Sequence, residues 1–208
     1  MSNQIELNPN MQYILCADIS ASMNATDPGL GGLTRYSYMV EKFKQFVKDS
    51  EDFDPDGPTI ILFGESVKVF SNTNIDAIED KLSSIQFEGF TNTHLALESA
   101  WKIHEAEKLG FVNEGKKHPG TVVFMFTDGE PTNRGALERL IVQISNSIDC
   151  EDEFNIGFIL VGTVPLELRE YLDKLDDGLK GKAKYDIVGV SEIQGLTFLK
   201  AVNNAVNE

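Results

Sequence analysis

Three oxygen-bearing side chains stand at alternate positions directly after an apolar run near the start of the chain. Asp18, Ser20 and Ser22 follow residues 13–17, whose unbroken apolar character predicts a buried strand. Open α/β folds bind ligands at the carboxyl ends of their strands, so these polar groups suit a binding site. Carboxylate and hydroxyl oxygens of low total charge are ligands that a hard cation such as Mg²⁺ prefers. The same residue types also serve as helix caps and turn residues, which is the competing interpretation.

Two further polar segments occur where a loop leaves a strand or enters a helix. Thr91 lies in the segment Gly-Phe-Thr-Asn-Thr before an amphipathic run over 95–108. Asp128 follows the apolar strand predicted over 121–126 and begins the segment Asp-Gly-Glu-Pro-Thr-Asn. All three segments can therefore meet at one edge of a sheet. We assign Thr91 to that site and expect Thr93 to cap the following helix.

This set resembles the metal-ion-dependent adhesion site (MIDAS) of the von Willebrand factor type A (vWA) domain. In that family an Asp and two Ser come from the first loop, a Thr from the second and an Asp from the third. The resemblance implies that the metal ligands are Asp18, Ser20, Ser22, Thr91 and Asp128. It implies Mg²⁺ as the cofactor, with Mn²⁺ or Ca²⁺ as alternatives, and a partner protein whose Glu or Asp completes the shell. In the family the two Asp often act partly through water.

Two alternatives to this adhesive function stay open. The same five residues could hold a purely structural metal that ties three loops together. The chain could also be an aspartate-nucleophile phosphotransferase of the haloacid-dehalogenase-like kind, which begins with an Asp after its first strand. Such an enzyme usually needs a second Asp as general acid, and Ser20 stands in that place. No phosphate-binding loop, dinucleotide fingerprint or nucleophile elbow occurs in the chain, so we expect no enzyme and assign no catalytic or cofactor-binding residues.

Composition narrows the class of partner. The chain has 33 acidic and 18 basic residues in 208, a formal charge of −15, which argues against nucleic acid or an anionic membrane surface. A partner that presents a carboxylate should therefore surround it with basic residues.

Cys16 and Cys150 make no disulfide framework, and Cys16 falls inside the first predicted strand. Residues 1–12 lack the features of a signal peptide, so we expect a cytoplasmic protein similar to the stand-alone bacterial intracellular vWA members.

Alternating strand and helix patterns predict an α/β fold, doubly wound around a mostly parallel six-stranded sheet with helices on both faces. The three-residue spacing before the third strand is a hairpin length and predicts one antiparallel edge strand. We expect a single domain over 1–208 with its core at about 11–206. The predicted strands are 13–17, 58–63, 67–70, 121–126, 154–161 and 185–188. The predicted helices are 35–50, 75–85, 93–109, 135–147, 165–175 and 194–206.

A few single residues complete the expectations. Phe90 is a hydrophobic contact beside the site, made either to the core or to a partner. His94 could offer its imidazole to a ligand or to the metal, but no second His or Cys lies near it in sequence to support a metal role. His104 and His118 have no partner pattern, so we expect both on the surface.

Overall fold

A computed structural model describes residues 11–50, 57–71 and 75–206, and the elements within them alternate along the chain. The strands are β1 (Gln12–Asp18), β2 (Thr59–Phe63), β3 (Val67–Phe70), β4 (Thr121–Thr127), β5 (Phe154–Leu160) and β6 (Val188–Glu192). The helices are α1 (Arg35–Ser50), α2 (Ile75–Ser83), α3 (Thr93–Asn113), α4 (Arg134–Ser147), α5 (Leu166–Asp176) and α6 (Phe198–Val206). The predicted ends of the domain, 1–10 and 207–208, lie outside the described residues.

The strands form one sheet in the order β3-β2-β1-β4-β5-β6. All neighbouring pairs are parallel except β2 and β3, which are antiparallel and join through a short turn. This confirms the predicted doubly wound sheet with one antiparallel edge strand. The strand order reverses between β1 and β4, and the crevice at the carboxyl ends of two such strands is where open α/β sheets bind ligands.

Helices cover both faces of the sheet, and the core is divided accordingly. Side chains of β1 alternate between the two halves, with Tyr13 and Leu15 on one face and Ile14 and Cys16 on the other. The first face is covered by α1 and α6, the second by α3, α4 and α5. The apolar stripe of α1, formed by Met39, Phe43, Phe46 and Val47, is buried. Phe46 from that stripe places its ring 5.5–5.7 Å from those of Phe124, Phe126 and Phe198.

The last strand was predicted at the wrong place. It occupies 188–192, not 185–188, and its ladder with β5 begins at the pair Ile156 and Val188. Tyr185 is held by α4 instead, because the Ser145 hydroxyl donates to its carbonyl at 2.7 Å and accepts from its amide at 2.8 Å. Tyr185, whose residue type favours a strand, therefore fixes the loop before β6 to α4.

Two helix boundaries also differ from the prediction by four residues each. α3 continues through Gly110 to Asn113, since a single glycine disfavours a helix by only about 1 kcal/mol. α6 begins at Phe198, not at 194, because Gly195 has a φ of +68° that breaks the helical path. The side-chain amide Nε2 of Gln194 donates to the Gly29 carbonyl at 3.0 Å, which joins this segment to the loop after β1.

Both histidines expected on the surface are buried, so that prediction was wrong. His104 has no exposed surface and continues the buried stripe of α3 that includes Leu97 and Trp101. Its Nδ1 lies 2.8 Å from the Thr121 hydroxyl and its Nε2 lies 3.3 Å from Glu153 Oε1. His118 packs edge-on against the His104 ring and accepts the Gly120 amide at 3.1 Å.

Cys16 is fully buried in β1, as predicted for a core residue. Among the described helices, none combines the length and the apolar character needed to cross a membrane.

Candidate metal centre

Three loops meet at the carboxyl end of the sheet: a first loop (19–34), a second loop (84–92) and a third loop (128–133). The first and second loops are joined by the Ala21 amide on the Glu88 carbonyl at 2.7 Å and the Glu88 amide on the Ile19 carbonyl at 2.9 Å. The second and third are joined by the Thr132 amide, which donates to the Thr91 carbonyl at 2.9 Å. The backbone thus holds all three sequence-predicted segments side by side.

A chain of hydroxyl and carboxylate groups runs across the first and third loops. The Ser20 and Ser22 hydroxyls lie 3.1 Å apart, and the Ser22 hydroxyl donates to Asp128 Oδ1 at 2.8 Å. Asp18 Oδ1 accepts the Ser20 amide at 2.8 Å, and Asp18 Oδ2 accepts the Thr127 hydroxyl at 2.6 Å. The two predicted carboxylates are therefore linked through the two predicted serines.

Thr91 reaches the same place from the second loop. A β-carbon built on Gly129 would lie 3.6 Å from the Ser22 hydroxyl and 3.6 Å from the Thr91 hydroxyl. Both hydroxyls therefore face this glycine, and a larger side chain there would fill the space between them. The Thr91 amide donates to the Thr132 hydroxyl at 3.0 Å, which fixes the backbone behind its side chain.

Burial and charge make this cluster suited to a cation. Asp18, Ser20, Thr91 and Asp128 are buried, while Ser22 is exposed and leaves the cluster open to solvent on one side. Burial raises the pKa of Asp18 to about 6, against the hydrogen bonds from Thr127 and Ser20, which favour its charged form. A buried carboxylate with a raised pKa gains most from a nearby positive charge. The two carboxylates of Asp18 and Asp128, with three neutral hydroxyls, match the donor set of a hard divalent ion.

No group of three or more His, Cys, Asp or Glu that could hold a metal occurs among the residues that the structure describes. A metal at the carboxyl end of the sheet would therefore depend on the serine and threonine hydroxyls for part of its ligand shell.

Arg35, the first residue of α1, contacts the cluster and was missed by the sequence analysis. Its Nη1 donates to Asp128 Oδ2 at 2.6 Å, its Nε to Asp27 Oδ2 at 3.3 Å, and its Nη2 to the Thr163 carbonyl at 2.9 Å. The sequence carried one signal for it. A cation in the first turn of a helix is unfavourable to the helix dipole, so an arginine there indicates a nearby anion.

Asp27 was missed as well, and it supports Arg35. Its carboxylate accepts the Thr163 amide at 2.7 Å and the Gly29 amide at 2.9 Å. The Thr163 amide contributes most to holding the pKa of Asp27 below its usual range, with Gly29 and Arg35 adding to the effect. Gly162 makes the contact between Asp27 and the Thr163 amide possible, because a β-carbon at Gly162 would lie 2.5 Å from Asp27 Oδ2 and the φ of Gly162 is +77°.

The remaining single-residue predictions had mixed outcomes. Thr93 was expected to cap α3, but Asn92 precedes the helix and the Thr93 hydroxyl is buried with no hydrogen-bond partner among the described residues. Phe90 is 55% exposed, so it is not a core residue, and its contact with a partner stays a prediction. His94 is partly buried, and its Nδ1 has no partner among the described residues.

Comparison with known proteins identifies the family. A family model described as von Willebrand factor type A domain matches residues 13–130, which is more than half of the chain and includes the five predicted ligands. The chain therefore belongs to the vWA family. Domains of this family form a metal-dependent adhesion and protein-interaction fold and are typically interaction modules, not enzymes. No curated protein sequence matches this chain significantly.

Solved structures agree on the fold. The manganese-loaded TRAP protein of Plasmodium vivax aligns with a TM-score of 0.63 and 12% identity, covering 95% of this chain and 74% of that one. Proximal thread matrix protein 1 from the mussel byssus aligns with a TM-score of 0.50 and 17% identity. That alignment covers 95% of this chain and 47% of the mussel protein, so this chain spans about half its length. At these identities the likeness concerns the fold alone.

Proposed function

We propose that this vWA domain binds Mg²⁺ through a MIDAS and uses the ion to capture an acidic side chain of a partner protein. The proposed ligands are Asp18, Ser20, Ser22, Thr91 and Asp128, and Mn²⁺ or Ca²⁺ could replace Mg²⁺. The observation that carries the proposal is the hydrogen-bonded chain from Ser20 through Ser22 to Asp128, which joins the first loop to the third.

The residues divide the work between charge and coordination. Asp18 and Asp128 supply two negative charges, and the hydroxyls supply oxygen ligands that add none. A bound divalent ion would keep enough positive charge to attract a further carboxylate. Exposed Ser22 lies on the open side of the cluster, where such a group would enter. Phe90 precedes Thr91 in the second loop and is exposed, so it would offer an apolar contact to the residues around the incoming carboxylate.

The net charge of the chain limits the classes of partner that it can bind. With a formal charge of −15, the domain repels nucleic acid and anionic membranes, and its partner should carry basic residues beside the captured Glu or Asp. We further propose a single vWA domain with its core at about 11–206 that works in the cytoplasm, as in the bacterial intracellular members it resembles. The TRAP structure described as manganese-loaded supports a divalent metal in this fold.

The phosphotransferase alternative is less well supported. Such an enzyme needs a second Asp as general acid two residues after the first, and Ser20 stands in that place, so the leaving group would lack a proton donor. The structural-metal alternative uses the same ligands and differs only in whether the ion accepts an outside carboxylate.

Isothermal titration of the metal-free protein with Mg²⁺ and Mn²⁺ tests the site. We expect one-to-one binding that is lost in Asp18→Ala and Thr91→Ala. Ser66→Ala is the matched control, because its hydroxyl lies in the β2–β3 turn and donates to Glu88. Unchanged affinity in a folded Asp18→Ala variant would show that the site is assigned wrongly.

A further inference from the structure

The Arg35 guanidinium is held by all three of its nitrogens, each on a different residue. Asp27 accepts from Nε, Asp128 from Nη1, and the Thr163 carbonyl from Nη2. The side chain is only 20% exposed, and the two carboxylates it joins are buried. A planar guanidinium fixed in this way has a defined position beside the proposed MIDAS.

The position of Arg35 divides the two oxygens of Asp128 between different tasks. Oδ2 accepts from the guanidinium at 2.6 Å, while Oδ1 accepts from the Ser22 hydroxyl at 2.8 Å. Asp128 therefore turns Oδ1 toward the hydroxyl cluster and keeps Oδ2 away from it. Asp27 in turn holds the guanidinium from the opposite side, so the arginine stays on Asp128 even though it begins a helix.

Charge balance gives this arrangement a consequence for ligand binding. Asp18, Asp27 and Asp128 bring three negative charges within one network connected through Ser20, Ser22 and Arg35, and Arg35 compensates one of them. One divalent ion then leaves the network neutral. Without Arg35 the loaded site would stay negative by one charge and would repel an incoming carboxylate.

We propose that Arg35 is the specificity-determining residue that makes the metal-loaded site receptive to a carboxylate. It acts through Asp128 and through its own charge, without being a metal ligand. The inference rests on the proposed function and deepens it, because it names the group on this chain that selects an acidic ligand. It also predicts opposite effects of one substitution. Removing the positive charge of Arg35 should favour the binding of Mn²⁺ and disfavour the binding of a carboxylate to the loaded site.

The test uses the Mn²⁺-loaded protein and acetate as the probe. Bound Mn²⁺ enhances the relaxation of water protons, and acetate that displaces water from the ion lowers that enhancement. Arg35→Met removes the charge and keeps the apolar stem, whereas Arg35→Lys keeps the charge and loses the planar fork. Arg134→Met is the matched control, because Arg134 lies at the start of α4 at the same end of the sheet, forms an ion pair with exposed Glu130 and lies over the Tyr171 ring at 4.7 Å.

We expect Arg35→Met to bind Mn²⁺ at least as tightly as the parent and to bind acetate more weakly, on the order of tenfold. Arg35→Lys should bind acetate within a few-fold of the parent, and Arg134→Met should match the parent. Circular dichroism confirms that each variant is folded. If folded Arg35→Met binds acetate as the parent does, or if it loses Mn²⁺ as well, the inference is overturned.

Failure of the proposed function gives different results. A parent protein that binds no Mn²⁺ overturns the metal site and the inference together. A parent that binds Mn²⁺ but shows no response to acetate has a structural metal, which overturns carboxylate capture and with it the role of Arg35.

Discussion

The Thr127 hydroxyl donates to Asp18 Oδ2 at 2.6 Å, across the carboxyl ends of the neighbouring strands β4 and β1. Both residues are buried, and the hydrogen bond is one of the influences that oppose the rise in the pKa of Asp18. The last residue of β4 thus orients a proposed metal ligand at the end of β1, its neighbour in the sheet.

Thr127→Val should weaken Mn²⁺ binding roughly tenfold or more, because it removes this orienting bond while keeping the shape of the side chain. The free energy of unfolding should fall by about 1 kcal/mol. Titration calorimetry and urea unfolding measure the two effects. Thr121→Val is the control, since Thr121 lies at the other end of β4 and bonds His104. It should leave Mn²⁺ affinity unchanged, and equal losses in both variants would contradict the assignment.

Thr91 and Thr93 stand two residues apart and should respond in opposite ways. Thr91→Val should abolish metal binding, because its hydroxyl faces Gly129 within the cluster. Thr93→Val should keep Mn²⁺ affinity and leave the free energy of unfolding unchanged or raise it by up to about 1 kcal/mol, since its buried hydroxyl has no partner among the described residues. Thermal unfolding and calorimetry on the pair check this. Loss of metal binding in Thr93→Val would move the ligand assignment within the second loop.

Gly162→Ala should destabilise the protein by roughly 2–3 kcal/mol, since its β-carbon would meet Asp27 Oδ2 and its φ is +77°. Gly181→Ala separates the two causes. Its φ is +86° but a β-carbon there would meet no atom within 4 Å, so backbone strain alone should lower stability by about 1 kcal/mol. Urea unfolding measures both variants. Equal losses of stability in the two variants would mean that contact with Asp27 adds nothing to the destabilisation by Gly162→Ala.

Acid should destabilise the fold through His104. Burial and the nearby His118 lower the pKa of His104 from 6.5 to about 4, against the effect of Glu153, while Lys108 adds to the lowering. Between these pH values the unfolded chain binds a proton that the folded chain does not. The stabilisation is therefore complete above pH 6.5 and is lost as the pH falls toward 4, by roughly 2 kcal/mol between pH 7.5 and pH 5.

His104→Gln provides the comparison, because glutamine can bond both Thr121 and Glu153 without titrating. Urea unfolding at the two pH values should show a smaller loss in the variant than in the parent. The same loss in both would assign the acid sensitivity to other groups.

Local pattern was enough to predict most of the framework. Unbroken apolar runs marked β1 and β4, because strands covered on both faces expose no polar side. The spacing of three residues between β2 and β3 required an antiparallel pair, since a crossover needs a longer connection. Asp18 and Asp128 could be placed at one edge of the sheet because each directly follows such a strand.

Relations between distant residues depended on the tertiary structure. Arg35 and Asp128 are 93 residues apart, and their pairing arises only because α1 begins beside the carboxyl end of β4. His104 looked like a polar surface residue, yet it lies on the buried stripe of α3, where Thr121 and Glu153 supply its hydrogen bonds. Tyr185 favoured a strand by its residue type but is bonded by Ser145 of α4. The sequence alone determined which residues form each strand and helix and which polar residues follow the strands that end at the site, because these patterns are local. The fold decided which charged and polar side chains find partners, because those contacts depend on how the elements pack.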